Sequence, residues 1–234
     1  SPPQAHGFRA PGETRTRTST VKAEAAHVGA TDTQPLAITI TGTNDAPDII
    51  VGAADSAAAG LNETNLPLST SGTLTVNDAD LSDTVTPTVD SVALSGVTGS
   101  LAQADVIGML TVSPASIAAN PGDAGNLGWS FNSTPQAFDF LAAGETLTLT
   151  YTVKADDGHV GGTDTQTVAI TITGTNDAPV LDLDANNSSL KTGADYQATF
   201  TENGSAVAIA DTDVSISDLD NTNVTSATIT LTNA

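Results

Sequence analysis

GETLTLTYTVKADDGHVGGTDTQTVAITITGTNDAP, residues 144–179, is the stretch that decides the fold. Thr146–Val153 and Thr165–Thr173 alternate threonine or another polar residue with Leu, Tyr, Val, Ala or Ile. Successive side chains of a strand point to opposite faces, so this period of two gathers the apolar residues on one face. One apolar and one hydroxyl-bearing face is the pattern of half-buried antiparallel strands. Asp157-Gly158 between the two runs is a turn signal, as is Asn120-Pro121-Gly122-Asp123 upstream. The same alternation recurs at Thr73–Val76, Val214–Ile216 and Ala227–Leu231. A helical period is confined to one turn near Leu101–Val106. Short strands separated by turns predict an all-β chain built as a Greek-key sandwich.

The stretch occurs twice. Residues 12–47, GETRTRTSTVKAEAAHVGATDTQPLAITITGTNDAP, match residues 144–179 at 27 of 36 positions, 132 residues earlier. A weaker match continues upstream, where Pro3, Gln4, Ala5 and Phe8 answer Pro135, Gln136, Ala137 and Phe140. Solenoid repeats are typically 20–50 residues long, so a period this long describes a self-contained domain repeated in tandem. The expected organisation is a degenerate tail of a preceding repeat at 1–47, a complete repeat at 48–179 and an incomplete repeat at 180–234. TGTNDAP at 41–47 and 173–179 falls where a linker belongs, because Asn-Asp favours a turn and Pro stops a strand ladder. In the first copy Arg15, Arg17 and Ser19 replace Leu147, Leu149 and Tyr151. Burying two unpaired arginines would be very costly, so residues 1–20 are expected to pack poorly or to lack order.

Composition narrows the function. Aromatics make up 3% of the chain, which suits thin sandwiches better than a deep ligand pocket. The formal net charge is −21, with 22 Asp, 5 Glu and only six Lys and Arg. That balance excludes a phosphate-binding, nucleic-acid partner. The sequence holds no apolar run long enough for a membrane span and opens on no signal-peptide pattern. It also holds no Cys, so disulfides cannot brace it, and metal ions are a common substitute.

The acids are grouped with amides. Asn77, Asp78, Asp80 and Asp83 form one group, and Asp156, Asp157 and Asp164 another. A third holds Asp211, Asp213, Asp218, Asp220, Asn221 and Asn223. Asn44-Asp45 and Asn176-Asp177 mark the linkers, and Glu63 and Glu202 open the strand regions of two units. Ca²⁺ takes six to eight oxygens from carboxylates, amides and carbonyls, and an Asp-x-Asp loop can aim two carboxylates at one point. Without a cation such a group repels itself. The plainer reading is a solvated acidic surface that maintains solubility. No segment matches the EF-hand loop or the Gly-rich nonapeptide of β-rolls.

Residues 137–180, AFDFLAAGETLTLTYTVKADDGHVGGTDTQTVAITITGTNDAPV, resemble the end of a VCBS-type repeat. Residues 202–233, ENGSAVAIADTDVSISDLDNTNVTSATITLTN, resemble the opening of a bacterial cadherin-like repeat. The resemblance implies tandem Ig/cadherin-like antiparallel β-sandwich modules of large, RTX-type adhesins, exported by type I secretion to the bacterial cell surface and involved in attachment and biofilm. It also implies where calcium sits, between neighbouring repeats of the same chain. Asn176, Asp177 and Glu63 would face Asp218 and Asp220 at one junction, with Glu202 as the early acid of the last unit. Asn44 and Asp45 would face Asp78, Asp80 and Asp156 at the other.

The remaining chemistry reads as structural. His6, His27 and His159 are far apart in sequence, and the last two are repeat equivalents, which points to a shared loop role. No G-x-S-x-G elbow or Cys nucleophile is present, so the chain is read as a non-enzyme. Trp129 and Phe131 flank Ser130 as one core-facing strand, and Lys154 is placed to pair with Asp156. The expected role is a calcium-binding spacer. The alternative is a module that binds a surface glycan or protein through loops at one end.

Overall fold

A computed structural model describes residues 10–26, 29–119 and 122–230. In chain order the strands are β1 (Thr14–Glu24), β2 (Thr31–Thr41), β3 (Asp48–Ile50), β4 (Ala58–Asn62), β5 (Ser69–Asn77) and β6 (Thr84–Gly96). After the single-turn helix α1 (Gln103–Val106) come β7 (Leu110–Ser113), β8 (Ile117–Ala118), β9 (Leu127–Asn132), β10 (Thr146–Asp156) and β11 (Thr163–Thr173). β12 (Val180–Asp182) and β13 (Ser215–Ser217) follow. The chain is all-β, as its alternation requires.

Strands β3 to β11 form two sheets over one core. One has the order β4-β11-β10-β6-β8 and the other β3-β5-β9-β7. All pairings are antiparallel except β4 with β11. Leu147, Leu149, Tyr151, Val153 and Ala155 alternate inward along β10, as do Val168, Ile170 and Ile172 along β11. They meet Leu74 and Val76 of β5 and Leu127, Trp129 and Phe131 of β9 in one buried cluster. Fully burying one such side chain is worth about 1.5–3 kcal/mol, so these alternating positions drive the two sheets together. Phe131 meets Tyr151 edge-on with ring centroids 6.3 Å apart. Tyr151 Oη donates to Val106 O at 2.9 Å, and Trp129 Nε1 donates to Ser56 O at 2.7 Å, so both buried aromatics have partners. Trp129 lies across Gly72 of β5, where a Cβ would sit 2.5 Å from the indole ring. The absence of a side chain at Gly72 therefore admits Trp129, the largest side chain of the core. Lys154 pairs with Asp156 at 3.1 Å on the outer face, as its spacing predicts.

The repeat is visible in the backbone. β1 and β2 pair from Thr14↔Thr41 to Glu24↔Thr31, and β10 and β11 pair from Thr146↔Thr173 to Asp156↔Thr163, the same register 132 residues later. The surroundings differ. Every residue of β1 is exposed, and Leu36 and Ile38 of β2 are exposed with it. The expectation of poor packing for residues 1–20 thus needs dividing. Thr14–Thr20 are ordered by a full ladder yet bury nothing, because ladder hydrogen bonds do not depend on the facing side chains. Residues 1–9 lie outside the described residues, as do His6, His27, Asn120 and Pro121.

β12 and β13 pair only over Val180↔Ser217 to Asp182↔Ser215. The strand expected at 227–231 does not form over its described part, 227–230. Its alternation is genuine, but among the described residues no strand pairs with it.

Candidate metal centres at the two junctions

The first linker lands on a buried group of acids. Asp45 N donates to Asp80 Oδ2 at 2.8 Å, and Asn44 Nδ2 donates to Asp157 Oδ2 at 3.0 Å. Asp80 N donates to Asp78 Oδ1 at 2.8 Å, so the Asp-x-Asp loop folds on itself and aims both carboxylates at the linker. Asp83 N closes the turn onto Asp80 O at 2.8 Å. Asp78, Asp80, Asp83 and Asp157 are all buried. Asp157 follows β10 and is held by His159 N, which donates to its Oδ1 at 2.7 Å. A Cβ on Gly162 would lie 1.8 Å from that same oxygen, so glycine there makes room for the carboxylate. Ile49 N donates to Asp164 Oδ2 at 3.0 Å and ties the third acid of this end to β3.

The second linker repeats the arrangement. Asp177 N donates to Asp220 Oδ2 at 3.2 Å, and Asp220 N donates to Asp218 Oδ1 at 3.3 Å. Asn44 Nδ2 bonds Asp45 O in the first linker, and Asn176 Nδ2 bonds Asp177 O in the second. Behind Asp177, toward the sandwich, lie Glu63 and Asp139, both buried. Glu63 Oε2 accepts from Thr175 Oγ1 at 2.7 Å and from Thr175 N at 3.3 Å. Ligand atoms of Glu63, Asp139 and Asp177 all lie within 4.8 Å of one another.

Both junctions leave oxygens stranded. Asn44 Oδ1, Asp78 Oδ2, Asp80 Oδ1 and Asp83 Oδ2 are buried without a hydrogen-bond donor at the first. Glu63 Oε1, both oxygens of Asp139 and Asp177 Oδ2 are in the same state at the second. A buried acceptor left unpaired costs about 1–3 kcal/mol, and more when charged. The titration behaviour agrees. Burial pushes Asp78 above the ordinary carboxylate range, helped by Asp83, Asp157 and Asp80 and opposed by the Asp80 amide. Burial likewise raises Asp83, against the pull of His159, and raises Asp139, with Asp177 and Glu63 adding to the effect. Such a set of oxygens fits a divalent cation, which supplies the missing partner and relieves the repulsion. No protein-family model matches the chain, and no curated protein does.

Most residues singled out from the sequence converge, with two exceptions. Asn44, Asp45, Asp78 and Asp80 meet at the first junction, and Asn176, Asp177, Glu63, Asp218 and Asp220 at the second. Asp156 does not join the first group. It points outward to Lys154 and to the Gly158 amide, and Asp157 takes the inward place. Glu202 is exposed and, among the described residues, joins no group of acids close enough to share an ion. Asp139 escaped the sequence reading because it stands alone between Phe138 and Phe140. A single acid in an otherwise core-facing run is the signal that marks it. A further group, Asp184, Asp211 and Asp213, lies within the last segment. There the Ser189 side chain first, against the effect of burial, and then the amides of Ser189 and Ser188 hold the Asp184 carboxylate below its ordinary range.

Proposed function

We propose that the chain is a run of extracellular β-sandwich modules whose joints are stiffened by Ca²⁺, serving as a spacer in a bacterial surface adhesin. The observation that carries this reading is the pair of matching junctions. At each, an Asn-Asp linker docks by its backbone onto the second Asp of an Asp-x-Asp loop, and buried carboxylate oxygens face the docking point without donors. Carboxylate, amide and carbonyl oxygens are the donors that calcium selects, and so many anions around one point favour a divalent ion. Asn44, Asp45, Asp78, Asp80, Asp83 and Asp157 would hold it at one joint. Glu63, Asp139, Asp177 and the facing Asp218 and Asp220 would do so at the other. The ion would neutralise the acids and cross-link linker to module.

The domain boundaries at 47 and 179, the cell-surface location and the kinship with VCBS and cadherin-like repeats belong to the same proposal. The alternative, a glycan- or protein-binding module, would use the recess of about 500 Å³ at the second junction, lined by Asn65, Gln136, Asn176 and Asp218. Small-angle scattering and thermal melting, each with calcium and then with chelator, test the spacer reading. Calcium should lengthen the particle and raise Tm, by about 2.7 kcal/mol of stabilisation per site at a hundredfold excess over Kd. Unchanged length and Tm would sink it. A glycan array with the full chain decides the glycan form of the alternative.

A further inference from the structure

We propose that His159, Asp83 and Asp157 form a site for a borderline divalent cation of the zinc class, so that the first joint accepts a metal that the second does not. His159 Nδ1 lies 3.4 Å from Asp83 Oδ2 and 3.5 Å from Asp157 Oδ1. The three ligand atoms fall within 4.8 Å of one another. Asp83 is buried, and its Oδ2 has no hydrogen-bond donor although it faces the imidazole.

The spacing suits the metal. Zinc bonds nitrogen and carboxylate oxygen at about 2.0–2.2 Å in a tetrahedron, whose edge is then about 3.4 Å. A cis edge around calcium at about 2.4 Å has a similar length, so the nitrogen decides. Calcium takes oxygen donors, whereas imidazole suits Zn²⁺, Cu²⁺, Fe²⁺ and Ni²⁺. The buried three-acid group at the second joint, Glu63, Asp139 and Asp177, is all oxygen. Three protein ligands leave a fourth tetrahedral position for water. The imidazole side chain is 39% exposed, so an ion can reach it from solvent. The loop is already fixed, since His159 N is bonded to Asp157 Oδ1 and Gly162 leaves space for that carboxylate.

This site shares Asp83 and Asp157 with the calcium reading but does not depend on it. The test is calorimetric titration of the full chain with zinc chloride in calcium-free buffer, repeated for His159→Gln, Asp83→Asn and, as a control on the repeat equivalent, His27→Gln. One zinc site should appear in the wild type and in His27→Gln, and weaken at least tenfold in His159→Gln. The half-exposed imidazole makes His159→Gln the safe variant for folding, checked by an unchanged melt in calcium. X-ray absorption of the zinc-loaded protein should show one nitrogen donor that His159→Gln removes. Absence of zinc binding, or wild-type affinity in His159→Gln, overturns the proposal. A chain that loses zinc in His159→Gln but shows no change in length or Tm with calcium refutes the calcium reading alone.

Discussion

At the residue scale, the decisive question is what a buried carboxylate has for company. Asp139 has two oxygens without donors and lies beside Glu63 and Asp177. Burial first, and those two acids second, raise it, so its charged form is disfavoured in the folded chain. A raised carboxylate strengthens the fold below its unfolded value and loses that contribution as pH rises through the folded value. In chelator at pH 7, Asp139→Asn should therefore raise Tm, and the gain should fade on acidification. In calcium the same change removes a ligand and should shrink the calcium-induced rise in Tm. Equal destabilisation in both buffers would refute a metal role for Asp139. Asp55 is the opposite case. Burial pushes it up, but Thr75 Oγ1, Thr73 Oγ1 and Gly52 N donate to it at 2.6, 2.7 and 2.8 Å, and the net direction is down. Its contribution is present above its unfolded value and lost as pH falls through the lower folded one. Asp55→Asn should cost about 1–3 kcal/mol at pH 7 and less near pH 3, as measured by urea unfolding at both values.

At the scale of elements, the repeat provides an internal control. Arg17 and Leu149 hold the same place in two hairpins of identical register, opposite Ile38 and Ile170. Leu149 is fully buried and Arg17 is exposed. Leu149→Ala should cost about 2–5 kcal/mol, and Arg17→Ala no more than about 0.5 kcal/mol. Comparable costs in denaturant unfolding would mean that β1 is covered after all. These hairpins also show what a sequence makes legible. Alternation of Thr with Leu, Val and Ile is local and fixes both strand and inward face, so β5, β10 and β11 could be read directly. Parity also held the answer for Asp157. Val153 and Ala155 point inward, so the next odd position does too, and Asp156 belongs with Lys154 outside. What stayed illegible depends on distant partners. Residues 227–230 alternate correctly yet form no strand, and Asp139 joins Glu63 only when the chain closes across some 76 residues.

For the whole molecule, the question is whether the two joints act independently. β10 runs from Thr146, beside the second linker, to Asp156, beside the first. At about 3.3 Å per residue its eleven residues set the joints some 35 Å apart. At some 35 Å two unit charges interact by only about 0.1–0.5 kcal/mol for an effective dielectric constant of 80 down to 20, so electrostatics links the joints weakly. Between them lies one continuous buried cluster, so any coupling would have to pass through its packing. Asp80→Asn removes the charge and one of the two carboxylate oxygens beside the Asp45 amide, and Asp220→Asn does the same beside Asp177. Each should lower calcium affinity at its own joint only. In a double-mutant cycle read by calcium calorimetry, the two effects should add within about 0.5 kcal/mol. A larger coupling would mean that ions at one end bias the sandwich toward a state the other end senses. Under the proposed calcium role, additivity would make each joint a separate hinge, and calcium level would set how many of them are stiff.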